Sequence, residues 1–169
     1  MLQVILIGLM GSGKSTIGKL LASRLSLPFV DLDDLIVSQA GKTIPDIFQD
    51  EGEEAFRALE SRLLAEVLMR DSEQVIATGG GVILSAENRA LMKESGRVIW
   101  LDASPVVLAK RIAGDRNRPL LDDVDPLFKM ISLAAQRNPL YAEVADLRVD
   151  TERLSTQEAV DTITAFLSE

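Results

Sequence analysis

Eight consecutive residues, Gly8-Leu9-Met10-Gly11-Ser12-Gly13-Lys14-Ser15, bring glycines, a lysine and a hydroxyl together in the spacing G-x-x-x-x-G-K-[ST]. That set suits the grip of a polyphosphate. The glycines let backbone N–H groups turn inward around phosphate oxygens, and the helix that follows adds the positive end of its dipole. Lys14 reaches the terminal phosphates and Ser15 offers a hydroxyl to Mg²⁺. The nucleotide contacts expected from this loop are Gly11, Ser12, Gly13, Lys14, Ser15 and Thr16. The alternative, a glycine-rich turn of unrelated purpose, rarely produces the whole pattern at ordinary glycine usage. The loop alone does not define a reaction, because GTPases, motors and ATP-driven machines share it. No Asn-Lys-x-Asp guanine-reading run follows.

Other polar groups must therefore decide the chemistry. Asp31-Leu32-Asp33 follows the apolar Phe29-Val30. The second strand is expected to end in these three residues, and alternation along the extended segment puts both carboxylates on one side, at the carboxyl edge of a sheet and near the phosphate loop. One could serve a metal and the other an acceptor hydroxyl; a solvated acidic turn or helix cap, with Asp34 contributing, is the alternative. Thr78-Gly79-Gly80-Gly81 allows close approach to the backbone and exposes N–H donors, or is a bland turn. Arg57, Arg118 and Arg137 taken singly read as surface charges. The strand Val75–Thr78 lacks the terminal Asp that usually supports Mg²⁺, and pattern alone nominates Asp102 at the end of Val98–Leu101 for that task.

The elements that must hold these residues alternate. Val4–Ile7, Phe29–Val30, Val75–Ala77, Val98–Leu101 and Leu147–Val149 are short apolar runs of strand length. Between them lie segments of helical period, Ile17–Leu25, Leu59–Met69, Leu91–Lys93, Val106–Ile112 and Val160–Leu167. This predicts an α/β fold, a parallel sheet with helices on both faces. Three helix starts carry caps: Thr43 with Asp46 three residues on, Ser104 before Pro105, and Ser155 with Glu158. One stretch breaks the rhythm. Gly114–Pro126, GDRNRPLLDDVDP, has two prolines, four aspartates and two arginines and reads as a long surface loop that could act as a lid.

Joined in this order, GLMGSGKST, DLD, DIF…GE..FR, TGGG, RPLL and R-x-P-LY resemble the shikimate kinase family over nearly the whole chain. The resemblance implies a three-layer P-loop fold with a five-stranded parallel sheet, related to nucleoside monophosphate kinases. It implies one kinase domain over 1–169, with a substrate-binding segment near 32–60 and a lid near 112–126. The implied reaction moves the γ-phosphoryl group of ATP to the 3-hydroxyl of shikimate, with Mg²⁺. Substrate contacts fall on Asp33, Arg57, Gly79, Gly80, Gly81 and Arg137. Two arginines can fork onto the carboxylate while Asp33 accepts from ring hydroxyls. Asp33, Lys14 and Arg118 carry the catalysis. Arg118 closes over the phosphates from the lid, Arg111 stacks on adenine, and Arg153 flanks the base. For the metal the resemblance pairs Ser15 with Asp31, reached through water, and treats Asp102 as a structural strand end. Arg116 has no assigned role.

Composition narrows the field from the other side. With 169 residues the chain fits one domain, and with no Cys and no His it excludes disulfides, thiol nucleophiles and imidazole bases. A net charge of −8 opposes nucleic acid and anionic membranes. No apolar run approaches the roughly 18 residues of a membrane span. The expectation is a cytoplasmic monomer acting on small molecules. Two other readings stay open: a related kinase for gluconate or a nucleoside monophosphate, and a catalytically silent module that binds nucleotide or shikimate.

Overall fold

The computed structural model describes residues 2–113 and 125–169. Five parallel strands, β1 (Gln3–Ile7), β2 (Phe29–Asp31), β3 (Gln74–Ala77), β4 (Arg97–Asp102) and β5 (Leu147–Asp150), form one sheet in the order β2-β3-β1-β4-β5. Helices α1 (Lys14–Leu25), α2 (Leu32–Ala40), α3 (Ile44–Leu68), α4 (Ala86–Ser95), α5 (Pro105–Ile112), α6 (Pro126–Val144) and α7 (Thr156–Leu167) connect and cover it.

Strand alternation divides the core in two. Ile5, Ile7, Ile76, Val98 and Trp100 pack with residues of α2 to α6 on one face. Val4, Leu6, Val75, Ile99 and Leu101 pack with α1 and α7 on the other. The three central strands β1, β3 and β4 are therefore buried on both sides, which is why Val4–Ile7, Val75–Ala77 and Val98–Leu101 read as continuous apolar runs. The order of strands places β1 between β3 and β4, so the loops leaving β1 and β3 emerge side by side. A ligand bound at such a sheet edge meets both.

The expected caps are present. Thr43 accepts from the Asp46 N–H, Ser104 from the Val107 N–H, and Ser155 with Glu158 closes a reciprocal capping box. The expected extended run through Asp33 is corrected. β2 stops at Asp31 and α2 begins at Leu32, because the Asp31 carboxylate caps the helix by accepting from the Asp33 and Asp34 N–H groups. Asp31 and Asp33 thus share a side through a helix start and not through strand pleating. Within α3 the backbone leaves helical geometry at Gly52 (φ 87, ψ 168), separating Ile44–Glu51 from the longer helix that carries Arg57. Of the expected lid, residues 114–124, with Arg116 and Arg118, lie outside the described residues. Its last two residues do not belong to a loop: Asp125 accepts from the Leu127 N–H as the cap of α6, and Pro126 is that helix's first residue.

Candidate active site

β1 ends at Ile7 and α1 starts at Lys14, and the six residues between them form the phosphate loop. Gly13 caps α1 with φ 100, a left-handed conformation that glycine adopts without the clash of a β-carbon. The ammonium of Lys14 folds back onto its own loop, donating to the carbonyls of Gly8 at 2.5 Å and Leu9 at 3.0 Å. The Ser12 hydroxyl is buried and finds no hydrogen-bond partner among the described residues. Ser15 donates its hydroxyl to Asp31 Oδ2 at 2.8 Å, which ties the first turn of α1 to the end of β2.

A cleft of about 1130 Å³ opens along this sheet edge. Gly11, Ser12, Gly13, Lys14, Ser15, Thr16, Asp31, Asp33, Arg57, Gly79, Gly80, Gly81, Arg111 and Arg137 all line it. The phosphate loop and the acceptor residues inferred from sequence therefore face one shared hollow. Phe48 and Phe56, with ring centroids 4.8 Å apart, form an apolar wall on the acceptor side. At the other end the Arg111 guanidinium donates to the Gly11 carbonyl at 3.1 Å and to the Thr151 carbonyl at 2.7 Å, which holds its plane across the rim of the loop.

Two sequence candidates stand elsewhere. Arg153 does not line the cleft; its side chain is 86% exposed and its nearest carboxylate is Asp150, at 3.5 Å. Asp102 likewise lies off the cleft, and its Oδ2 accepts from Arg148 Nε at 2.8 Å and Nη2 at 2.7 Å. That fork ties the end of β4 to β5, whereas Asp31 lines the cleft.

The glycine triplet has a use that its sequence does not reveal. A β-carbon on Gly79 would stand 3.0 Å from Glu60 Oε2 and 3.1 Å from Asp33 Oδ1. One on Gly80 would stand 3.2 Å from Arg137 Nη1, and one on Gly81 would overlap the Arg57 guanidinium. Each glycine leaves room for a charged side chain. The run therefore gathers two acids and two arginines against one stretch of backbone.

Glu60 is a site residue that the motif reading does not supply. It is 1% exposed, and its carboxylate accepts from Arg57 Nη1 at 2.9 Å. Burial pushes its pKa up, against the pull of Arg57, and the Asp33 charge adds to the rise. Its spacing of three residues from Arg57 on one helix is the signal that could have found it. Tyr141 is fully buried, and its hydroxyl donates to the Gly80 carbonyl.

The donor set for a metal is hard oxygen: the Ser15 hydroxyl and the Asp31 carboxylate, beside the phosphate loop. No group of three or more acidic side chains suited to a metal occurs among the described residues. That arrangement fits Mg²⁺, which keeps several waters and shares its shell with substrate phosphates. It does not fit a metal that needs nitrogen or sulfur ligands.

The family model for shikimate kinase matches residues 10–168. A shikimate kinase of Symbiobacterium thermophilum is 48% identical over 170 residues, covering 99% of this chain and 97% of that protein. Among solved structures, shikimate kinase from Acinetobacter baumannii in complex with shikimate is 38% identical, with a TM-score of 0.94 over 99% of this chain and 93% of that one. Shikimate kinase from Bacteroides thetaiotaomicron is 31% identical, with a TM-score of 0.93 over 99% of both chains.

Proposed function

The chain belongs to the shikimate kinase family, and on that premise we infer that it transfers the γ-phosphoryl group of ATP to the 3-hydroxyl of shikimate, giving shikimate 3-phosphate and ADP. The observation that carries the reading is the single cleft in which Lys14 and Ser15 face Asp33, Arg57 and Arg137.

The roles follow from chemistry. Arg57 and Arg137 fork onto the acceptor carboxylate, and Asp33 accepts from the attacking hydroxyl. The hydroxyl oxygen forms the new bond to the γ-phosphorus, the bond to the bridging oxygen of ADP breaks, and the hydroxyl proton passes to Asp33. A loose transition state asks little of this base, so orientation is its larger service. Lys14 leaves its loop carbonyls for the phosphates, and the amides of Gly11, Ser12, Gly13, Ser15 and Thr16 surround them. Arg111 presents its guanidinium face to adenine. Arg118 is assigned to the transferring phosphoryl group, and Arg153 to the outer rim of the base site.

Ser15 and Asp31 would hold Mg²⁺, which when bound neutralises phosphate charge and orients the γ-phosphoryl group. Asp31 would act through water, since its carboxylate also caps α2. Every residue of the proposed site comes from one chain, so a monomer suffices. No helix among the described residues is long and apolar enough to cross a membrane. A net charge of −8 opposes nucleic acid and anionic membranes, and the proposed partners are the two small-molecule substrates.

The test is ADP formation at fixed ATP and Mg²⁺, with and without shikimate, beside gluconate and nucleoside monophosphates. Release that depends on shikimate is the expected result. Release that is equal without it, or that follows another acceptor, would overturn the assignment.

A further inference from the structure

Tyr141 has no part in the roles assigned above, yet its surroundings are those of the acceptor site. It lies on α6 one helical turn beyond Arg137, is fully buried, and packs its ring against Trp100 with centroids 5.8 Å apart. Its hydroxyl reaches 61 residues back along the chain to donate to the Gly80 carbonyl at 2.5 Å. A β-carbon on Gly80 would lie 3.2 Å from Arg137 Nη1 and 3.6 Å from the Tyr141 hydroxyl, so guanidinium and phenol meet at the same peptide. Burial pushes the phenol's pKa up, and it stays a donor at any working pH.

The carbonyl of Gly80 and the N–H of Gly81 belong to one peptide unit. In a trans peptide these two groups point in opposite directions, and no cis bond occurs among the described residues. With the carbonyl held on the core side by Tyr141, the Gly81 N–H is turned away from the core, and Gly81 lines the cleft. In the turn itself the Val82 and Leu84 amides donate to the Gly79 and Gly81 carbonyls. The amides of Gly79, Gly80 and Gly81 have no backbone acceptor among the described residues. Three successive glycines have the widest backbone freedom of any tripeptide, so without a fixed carbonyl this peptide could turn over.

We propose that Tyr141 is a positioning residue for the acceptor: its hydroxyl fixes the Gly80–Gly81 peptide so that the Gly81 N–H faces the acceptor beside the Arg137 guanidinium. The identity of the acceptor rests on the function proposed above. The positioning role does not act on the nucleotide, whose loop lies on another strand end.

Tyr141→Phe removes the oxygen and keeps the ring against Trp100. Steady-state kinetics should show KM for shikimate raised about five- to tenfold, the effect of one lost hydrogen bond, with KM for ATP within about twofold of wild type. Wild-type ADP formation measured in the same assay tests the acceptor separately, so a failure there is told apart from a failure of Tyr141. An unchanged KM for shikimate in a folded variant, or equal rises in both KM values, would overturn the proposal. A second measurement needs no variant. In the wild-type protein titrated with shikimate alone, the Gly81 amide proton should shift strongly in the NMR spectrum, and an unmoved Gly81 signal at saturation would also overturn it.

Discussion

Glu60 accepts a hydrogen bond from Arg57 at 2.9 Å, one turn along α3, and its side chain is only 2% exposed. The pair presses the Arg57 guanidinium against Gly81, beside the Phe56 ring, with its centre 5.1 Å from the ring centroid. Arg57 Nε is buried without a hydrogen-bond partner; the nearest carboxylate, Glu53, stands at 3.7 Å. Arg57 is thus aimed by one acid and still has donor capacity for an incoming carboxylate.

The first expectation concerns pH. Burial holds the Glu60 carboxyl above its ordinary value of 4.5. A carboxyl raised on folding binds more protons in the folded than in the unfolded chain, so its stabilising contribution is present at low pH. It is lost as pH climbs from 4.5 through the raised value. Glu60→Gln removes this titration, and the Tm of wild type should fall relative to that of the variant as pH rises through this window. Parallel curves would show that Glu60 ionises without a folding penalty.

Arg57→Ala or Arg137→Ala should cost roughly 1.5–3 kcal/mol, about 10- to 150-fold, appearing mainly in KM for shikimate. The range is that of charge-assisted hydrogen bonds. A KM for shikimate equal to that of wild type would remove the substituted arginine from the acceptor site.

Gly81→Ala offers a test without touching a charge. Gly81 has φ −91, which alanine adopts freely, so the effect comes from the new methyl meeting the Arg57 guanidinium. The far end of an arginine can swing away, and the fold should survive with a Tm close to wild type. KM for shikimate should rise as in Arg57→Ala, and the double variant should lose little more. Additive losses would mean that Gly81 and Arg57 act independently.

Asp33→Asn should lower kcat roughly a hundredfold or more, the low end of general-base contributions, with KM for ATP largely kept. Turnover near that of wild type would show that a different group orients and deprotonates the acceptor.

The phosphate loop was legible because its function is local. Eight neighbouring residues supply the amides, lysine and hydroxyl, and the strand before and helix after them are fixed by apolar period. The caps at Thr43, Ser104 and Ser155 were legible for the same reason, since each bonds within three residues. Asp33, which lies in α2 and not in the expected strand, was misread in its conformation: strand pleating and helix capping both suit an acid placed like Asp31. Only the amides of Asp33 and Asp34, closing on its carboxylate, separate the two.

The sequence by itself determined the sheet's alternation, the nucleotide grip and, through the joint pattern of motifs, the family. Only the tertiary structure decided that the glycine triplet is a seat for Asp33, Glu60, Arg137 and Arg57, that Asp102 is occupied by Arg148, and that Tyr141 holds Gly80. Those contacts join segments brought together by the strand order β2-β3-β1-β4-β5 and by the packing of α3 and α6 above it. Local propensity carries no record of which distant side chain will meet an exposed peptide; that is set when the sheet closes its two cores and leaves one edge open.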